Sequence, residues 1–294
     1  MTAQPIETNA TNVMARAAAQ GWGINLLSPV IGAEVLGIDL SQTMTPEQVS
    51  VLREILLEWK VMFFRDQDIT TQQHLDFSKN FGPLEIHPFG LNDPDYPEVL
   101  FITHDENNKG KENIWHSDVT WREAPSLGSV LRAREVPEVG GDTLFADMYA
   151  AYDGLPEAMK EKIEGRMARH DFYPFKPGIL AAPDGEKILK QMEEKYPNPW
   201  HPIVRTHPET GRKGLYVNIA FTVEVEGMDE KEGRALLDFL YRQATVPEYQ
   251  CRFRWEDNSI AFWDNRSCQH YAASDYWPHQ RRMERVTIIG DQPR

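Results

Sequence analysis

Nine histidines and 45 acidic residues share 294 positions. At that density a histidine two residues ahead of an acid arises by chance about once. Four such triplets occur: His74-Leu75-Asp76, His104-Asp105-Glu106, His116-Ser117-Asp118 and His207-Pro208-Glu209. Residues i and i+2 reach to one side only on an extended chain; on a helix they diverge by about 200°. His74 lies in a helical stretch, so its pair cannot grip one ion. His104 sits in the charged run HDENNKGKEN and His207 before a Pro-Glu-Thr-Gly turn, and both read as solvated loops. His116-Ser117-Asp118 stands between Trp115, Val119 and Trp121 in strand-like sequence, so both side chains can enter one aromatic-walled interior. That pair suits a metal; the competing interpretation is an ordinary buried His–Asp hydrogen bond.

A later histidine would complete a two-His-one-carboxylate face, the arrangement that holds iron(II) and leaves coordination positions open. His270, in WDNRSCQHYA, is the candidate, with a plain core histidine as the alternative. The run that follows, RRMERVTII, favours the first interpretation. On a strand Arg281, Met283 and Arg285 share one face, and an arginine buried in a sheet needs an anion. Arg282 points to the opposite face and serves neither purpose.

The elements that must position these groups are mixed. Residues 24–27, 35–40 and 61–64 read as strands. Thr45-Pro46-Glu47-Gln48 and Thr70-Thr71-Gln72-Gln73 open helices, with Val49, Leu52, Leu56 and Trp59 on one face of the first and Phe77 and Phe81 on that of the second. From Trp115 onward short strands recur at 113–120, 129–134, 143–146, 166–172, 215–221, 251–255, 260–263, 270–273 and 285–289, with helices near 155–164 and 230–243. The expected class is mainly β, a sandwich or barrel with flanking helices. No linker divides it, so residues 21–294 form one domain behind a flexible tail, 1–20.

Composition narrows the function. Lys and Arg total 31 against 45 Asp and Glu, a net charge of −14, which argues against a nucleic-acid binder. It leaves room for a small anion, because buried arginines capture a carboxylate inside an acidic protein. No apolar run is long enough to span a membrane, and residues 1–20 lack a secretory pattern. Cys251 and Cys268 read as two reduced thiols of a cytoplasmic protein.

Taken together, IGAEVLGIDL, WHSDVTW, GGDTLFADMYAAYDGLP, HPETGRKGLYVN, WDNRSCQHYA and RRMERVTIIGD resemble the taurine dioxygenase family of iron(II)- and 2-oxoglutarate-dependent oxygenases, which also includes phenoxyalkanoate dioxygenases and alkylsulfatases. The resemblance implies a double-stranded β-helix (jelly-roll) core. It also implies His116, Asp118 and His270 as iron ligands, with Thr143 and Arg281 holding the distal carboxylate of 2-oxoglutarate. O2 is the second cosubstrate, and succinate and CO2 are released as a small anionic organic substrate is hydroxylated. Asp118 argues against the halogenase variant, which lacks that ligand. Arg285 matches the arginine for the substrate's acidic group, and His87 a histidine on the sulfonate of taurine. Trp121 and Phe221 match apolar pocket positions, or are plain core residues. Gly90 replaces a tyrosine of the taurine enzyme and Glu112 an asparagine, so the substrate is a sulfonate, a sulfate ester or a carboxylate. The expected assembly is a homo-oligomer, a dimer or tetramer. A jelly-roll binding protein with structural zinc would need a fourth ligand. A metal-dependent hydrolase would have no use for the Thr143–Arg281 clamp.

Overall fold

The computed structural model describes residues 4–294, with side chains from residue 9. Helix α1 (Gln4–Ala19) leads into strands β1 (Gly23–Leu26) and β2 (Ala33–Leu36), then α2 (Pro46–Trp59), β3 (Val61–Phe64) and α3 (Thr71–Lys79). Strands β4 (Leu91–Asn92), β5 (Val99–His104), β6 (Ser126–Glu135) and β7 (Thr143–Asp147) follow. Next come α4 (Met148–Asp153), α5 (Glu157–Ile163), β8 (Met167–His170), α6 (Lys176–Leu180) and α7 (Gly185–Lys195). Strands β9 (Trp200–Pro202), β10 (Val204–Thr206), β11 (Lys213–Leu215) and β12 (Thr222–Val225) precede α8 (Glu230–Tyr241). The series ends with β13 (Gln250–Phe253), β14 (Ile260–Asp264), β15 (Cys268–Ala272) and β16 (Arg281–Ile289).

Eight strands form the main sheet in the order β1-β2-β3-β14-β6-β16-β5-β4, and β13-β7-β15 form a smaller one. Period-2 alternation decides what lies on each face. Phe63, Ala261 and Trp263 turn toward the small sheet, where Phe63 stacks on Phe253 at 4.1 Å between ring centroids and meets Phe145 edge-on at 5.6 Å. Met62, Phe64, Ile260 and Phe262 turn the other way, into a second apolar layer beneath α1, α2 and α3. Each aromatic ring so buried contributes about 1.5–3 kcal/mol, which fixes the two sheets face to face.

Helices α2 and α3 start as the sequence predicts. Thr45 and Gln48 form a reciprocal capping box, as do Thr70 and Gln73. Leu52, Leu56 and Trp59 are buried, Val49 packs against the same cluster, and Phe77 and Phe81 meet at 5.5 Å.

Three expectations need correction. Of the tail expected over residues 1–20, residues 1–3 lie outside the described residues and Gln4–Ala19 is helix α1; Val13 and Ala17 enter the core, with Ala10 and Met14 beside them. Those four fall at i, i+3, i+4 and i+7, the spacing of one helical face. Residues 113–120 are not a strand. His116 makes one isolated bridge to His270, and the chain then turns. Of residues 215–221 only Leu215 belongs to a strand.

Candidate active site

Strand β15 pairs with β7 inside the small sheet and presents His270. Paired backbone hydrogen bonds lock the two histidines in register: His116 N–H donates to His270 C=O at 3.0 Å, and His270 N–H to His116 C=O at 2.8 Å. Their rings lie 4.1 Å apart between centroids. Asp118 follows where the chain turns back, through Val119 at φ 47°. A β-branched residue avoids that left-handed region, so the turn is strained and something must hold it. Asn265 does. Its side-chain Oδ1 accepts from Asp118 N–H at 2.6 Å and its Nδ2 donates to Asp118 C=O at 2.9 Å. One ligating atom from each of His116, Asp118 and His270 then lies within 4.8 Å of the others.

The electrostatics suit a cation. His116 Nδ1 lies 2.7 Å from Ile114 C=O, which makes it the protonated nitrogen and leaves the lone pair on Nε2. Burial, with His116 next to it, depresses His270 to about 3, so it is neutral at physiological pH; its Nδ1 is buried without a partner. Burial pushes the Asp118 carboxyl up, but Arg285, His270 and His116 together hold it well below the usual carboxylate range. Ser129 Oγ donates to Asp118 Oδ2 at 2.9 Å, and Arg285 Nη1 to Asp118 Oδ1 at 2.9 Å.

Two cavities meet at this cluster. The first, about 550 Å³, contains Thr143 and Arg281 together with both histidines. Arg281 is 4 % exposed, yet its Nε and Nη2 have no hydrogen-bond partner. A buried, unpaired guanidinium is costly unless an anion occupies the space beside it. Gly140 and Gly141 adopt φ 87° and 73°, and a Cβ at 141 would come within 3.4 Å of Arg281. The GGDT turn thus lets backbone pass against the arginine while delivering Thr143. The Thr143 hydroxyl oxygen accepts from Trp255 Nε1 at 2.9 Å, so its own proton is free to donate. The second cavity, about 850 Å³, holds His87, Trp121 and Phe221 and shares His116, Glu112 and Arg285 with the first. Burial and the nearby Arg285 depress His87 to about 3. Its Nδ1 accepts from Phe89 N–H at 3.2 Å, which puts the proton on Nε2. Arg285 keeps a buried, unpartnered Nε. Arg282 points out of the sheet, 3.9 Å from Glu135.

Every residue to which the family resemblance gives a site role therefore lines one cavity or the other. The solvated readings of His104 and His207 are wrong. His104 closes β5 with its ring buried, at 2.7 Å from the Tyr276 hydroxyl and 3.3 Å from Glu112. His207 is buried against Asp264 at 3.0 Å. Tyr276 and Asp264 lie 172 and 57 residues away from these histidines, so local composition misled. Asn265, Ser129, Tyr276, Phe89 and Phe175 were missed; only WDNR, next to His270, carried a local hint.

The model of the "Taurine catabolism dioxygenase TauD, TfdA family" matches residues 24–287. An alkylsulfatase of Acinetobacter baylyi is 36% identical over 267 residues, 89% of this chain and 83% of that protein. The alpha-ketoglutarate-dependent 2,4-dichlorophenoxyacetate dioxygenase of Cupriavidus pinatubonensis is 33% identical, over 91% of this chain and 97% of its own. The structure of a taurine dioxygenase from Burkholderia xenovorans superposes with a TM-score of 0.79 at 36% identity, covering 92% of this chain and 90% of that one. AAD-2, solved with Mn(II) and N-oxalylglycine, gives 0.77 at 32% identity over 92% and 98%. Sequence and fold agree over nearly the whole length: the chain belongs to the TauD, TfdA family and is an Fe(II)- and 2-oxoglutarate-dependent dioxygenase that uses O2, built on a jelly-roll core with flanking helices.

Proposed function

We propose that His116, Asp118 and His270 hold the iron, that Arg281 and Thr143 hold the distal carboxylate of 2-oxoglutarate, and that Arg285 and His87 receive the acidic group of a small organic anion. The observation that carries this reading is the buried, unpaired Arg281 guanidinium in one cavity with both histidines. When bound, the iron supplies the oxygen chemistry that turns 2-oxoglutarate into succinate and CO2 and hydroxylates the substrate. The chain's own residues do the positioning. Arg281 can grip a carboxylate through two N–H groups, which sets how far the cosubstrate reaches toward the histidines. Thr143 adds one neutral hydrogen bond. In the second cavity, His87 Nε2–H and the free Nε–H of Arg285 are donors for anionic oxygens, while Trp121 and Phe221 exclude water.

Sulfate esters, sulfonates and carboxylates all present such oxygens. The alkylsulfatase and dichlorophenoxyacetate relatives support an acidic substrate without choosing between heads. An aryloxyalkanoate is the second reading, favoured by the ring-lined wall of Phe89, Trp121 and Phe175. Succinate formation measured with alkyl sulfates, sulfonates including taurine, and aryloxyalkanoates tests the proposal. At least one anion should raise it well above the rate without substrate, and failure of all three classes would refute it. The reading includes a cytoplasmic location, supported by the free buried thiols Cys251 and Cys268. It also includes a dimer or tetramer, to be checked by light scattering.

A further inference from the structure

Beyond the substrate cavity, on the other side of its aromatic wall, runs an open groove of about 890 Å³. Phe89 and Phe175 belong to both spaces; their rings stack at 5.0 Å and 25° and form the sill between them. Past that sill the lining is apolar throughout. Pro88 and Pro174, each next in sequence to a sill residue, line the groove together with Ile179 of α6 and Ile188 and Met192 of α7. Ile188 and Met192 are one helical turn apart and present one face. No charged residue lines the groove, and Lys176, at the start of α6, is engaged by Asp171 and Glu193 at 3.1 Å each. A molecule held by its acidic head at Arg285 that extends past the sill therefore meets a lining of hydrocarbon surface without a charged group.

We propose that this groove binds the tail of the substrate, and that the substrate is an amphiphilic anion carrying a linear alkyl chain rather than a two-carbon acid. The inference rests on the reading of Arg285 and His87 as the head site, and it deepens that reading by assigning residues outside the head cavity to substrate choice. Methionine on a half-exposed helix suits a flexible chain, since it adapts its shape to what it covers. The aryl group of an aryloxyalkanoate would instead stay inside the cavity against Trp121, and so would be indifferent to α7.

The test uses 1-alkyl sulfates from ethyl to decyl with the iron-loaded enzyme, reading kcat/KM from succinate formation. Burial of each added methylene in a one-sided groove should raise kcat/KM by roughly two- to fourfold until the groove is filled. In the double variant Ile188→Asp/Met192→Asp the decyl-to-ethyl ratio should fall at least tenfold. Because the ratio is taken within one sample, partial loss of folded enzyme cancels. A flat or falling series in the wild type, an unchanged ratio in the variant, or an aryloxyalkanoate preferred to every alkyl sulfate would overturn the tail site while leaving the head site standing. If no sulfate, sulfonate or carboxylate is turned over at all, the head site falls and the tail site falls with it.

Discussion

At the residue scale, Arg285 carries the most consequence. On sequence it matches the arginine for a substrate's acidic group; in the structure its Nη1 is spent on Asp118, while Glu112 is held by His104. Burial pushes the Glu112 carboxyl up, but the His104 hydrogen bond and charge outweigh it and bring the group down to about 2. Arg285 thus balances the Asp118 charge with one nitrogen and lines the cavity proposed for the substrate. Arg285→Gln should strip Asp118 of its only buried guanidinium partner among the described residues, at a cost of about 3 kcal/mol in the metal-free protein. A bound divalent cation would replace that compensation, so the melting temperature should drop more without metal than with it. Equal drops in both states would show that Arg285 has no part in the Asp118 balance. Substrate affinity should weaken while 2-oxoglutarate binding stays nearly constant, because Arg281 and Thr143, not Arg285, are the groups proposed for its distal carboxylate.

At the scale of elements, the turn after His116 decides whether the three proposed ligands converge. The strand expected at 113–120 would also have placed His116 and Asp118 on one side, which is why the pair was legible despite the wrong element. What the sequence could not reveal is the brace, since Asn265 lies 147 residues from Asp118. Asn265→Ala should leave Asp118 N–H and C=O unpartnered and free Val119 to relax from φ 47°. Calorimetric titration with Mn(II) should show affinity reduced by roughly tenfold or more, as for other supports of a ligand. Adding Val119→Gly, which removes the steric objection to that φ, should recover part of the loss. A drop in thermal stability with unchanged metal affinity would make Asn265 merely structural. The other elements divide by how local their cues are. Capping boxes and 3.6-residue periodicity made α2 and α3 readable, whereas β5 and the α6–α7 pair have no comparable marker and depend on long-range contacts.

For the whole molecule, the layers follow from alternation along β3 and β14, but the burial of polar groups among them does not. His74, on the face of α3 that meets β6 at the Val130 carbonyl, is depressed to about 3 by burial and by Arg132. His201 is depressed to about 4 by burial, despite the carbonyls of Arg122 and Thr120. Both would titrate near 6.5 in the unfolded chain. Below that pH the unfolded state binds more protons than the folded one, so stability is full above it and declines as pH falls toward 4. Each histidine contributes at most about 1.4 kcal/mol per pH unit over this window. The urea midpoint of the metal-free protein should accordingly be clearly lower at pH 5 than at pH 7; equal midpoints would mean these histidines are hydrated or paired in ways the fold does not show.

The most direct test of the account is an anaerobic titration of 2-oxoglutarate into the Fe(II)-loaded protein, with His270→Ala and Arg281→Ala compared against wild type. One equivalent should bind to the wild type. Each substitution should weaken binding by at least tenfold, the first by removing a metal ligand and the second by removing a charge-assisted pair that contributes on the order of 1.5–3 kcal/mol. Undiminished affinity in either variant would contradict the assignment of this cavity to metal and cosubstrate.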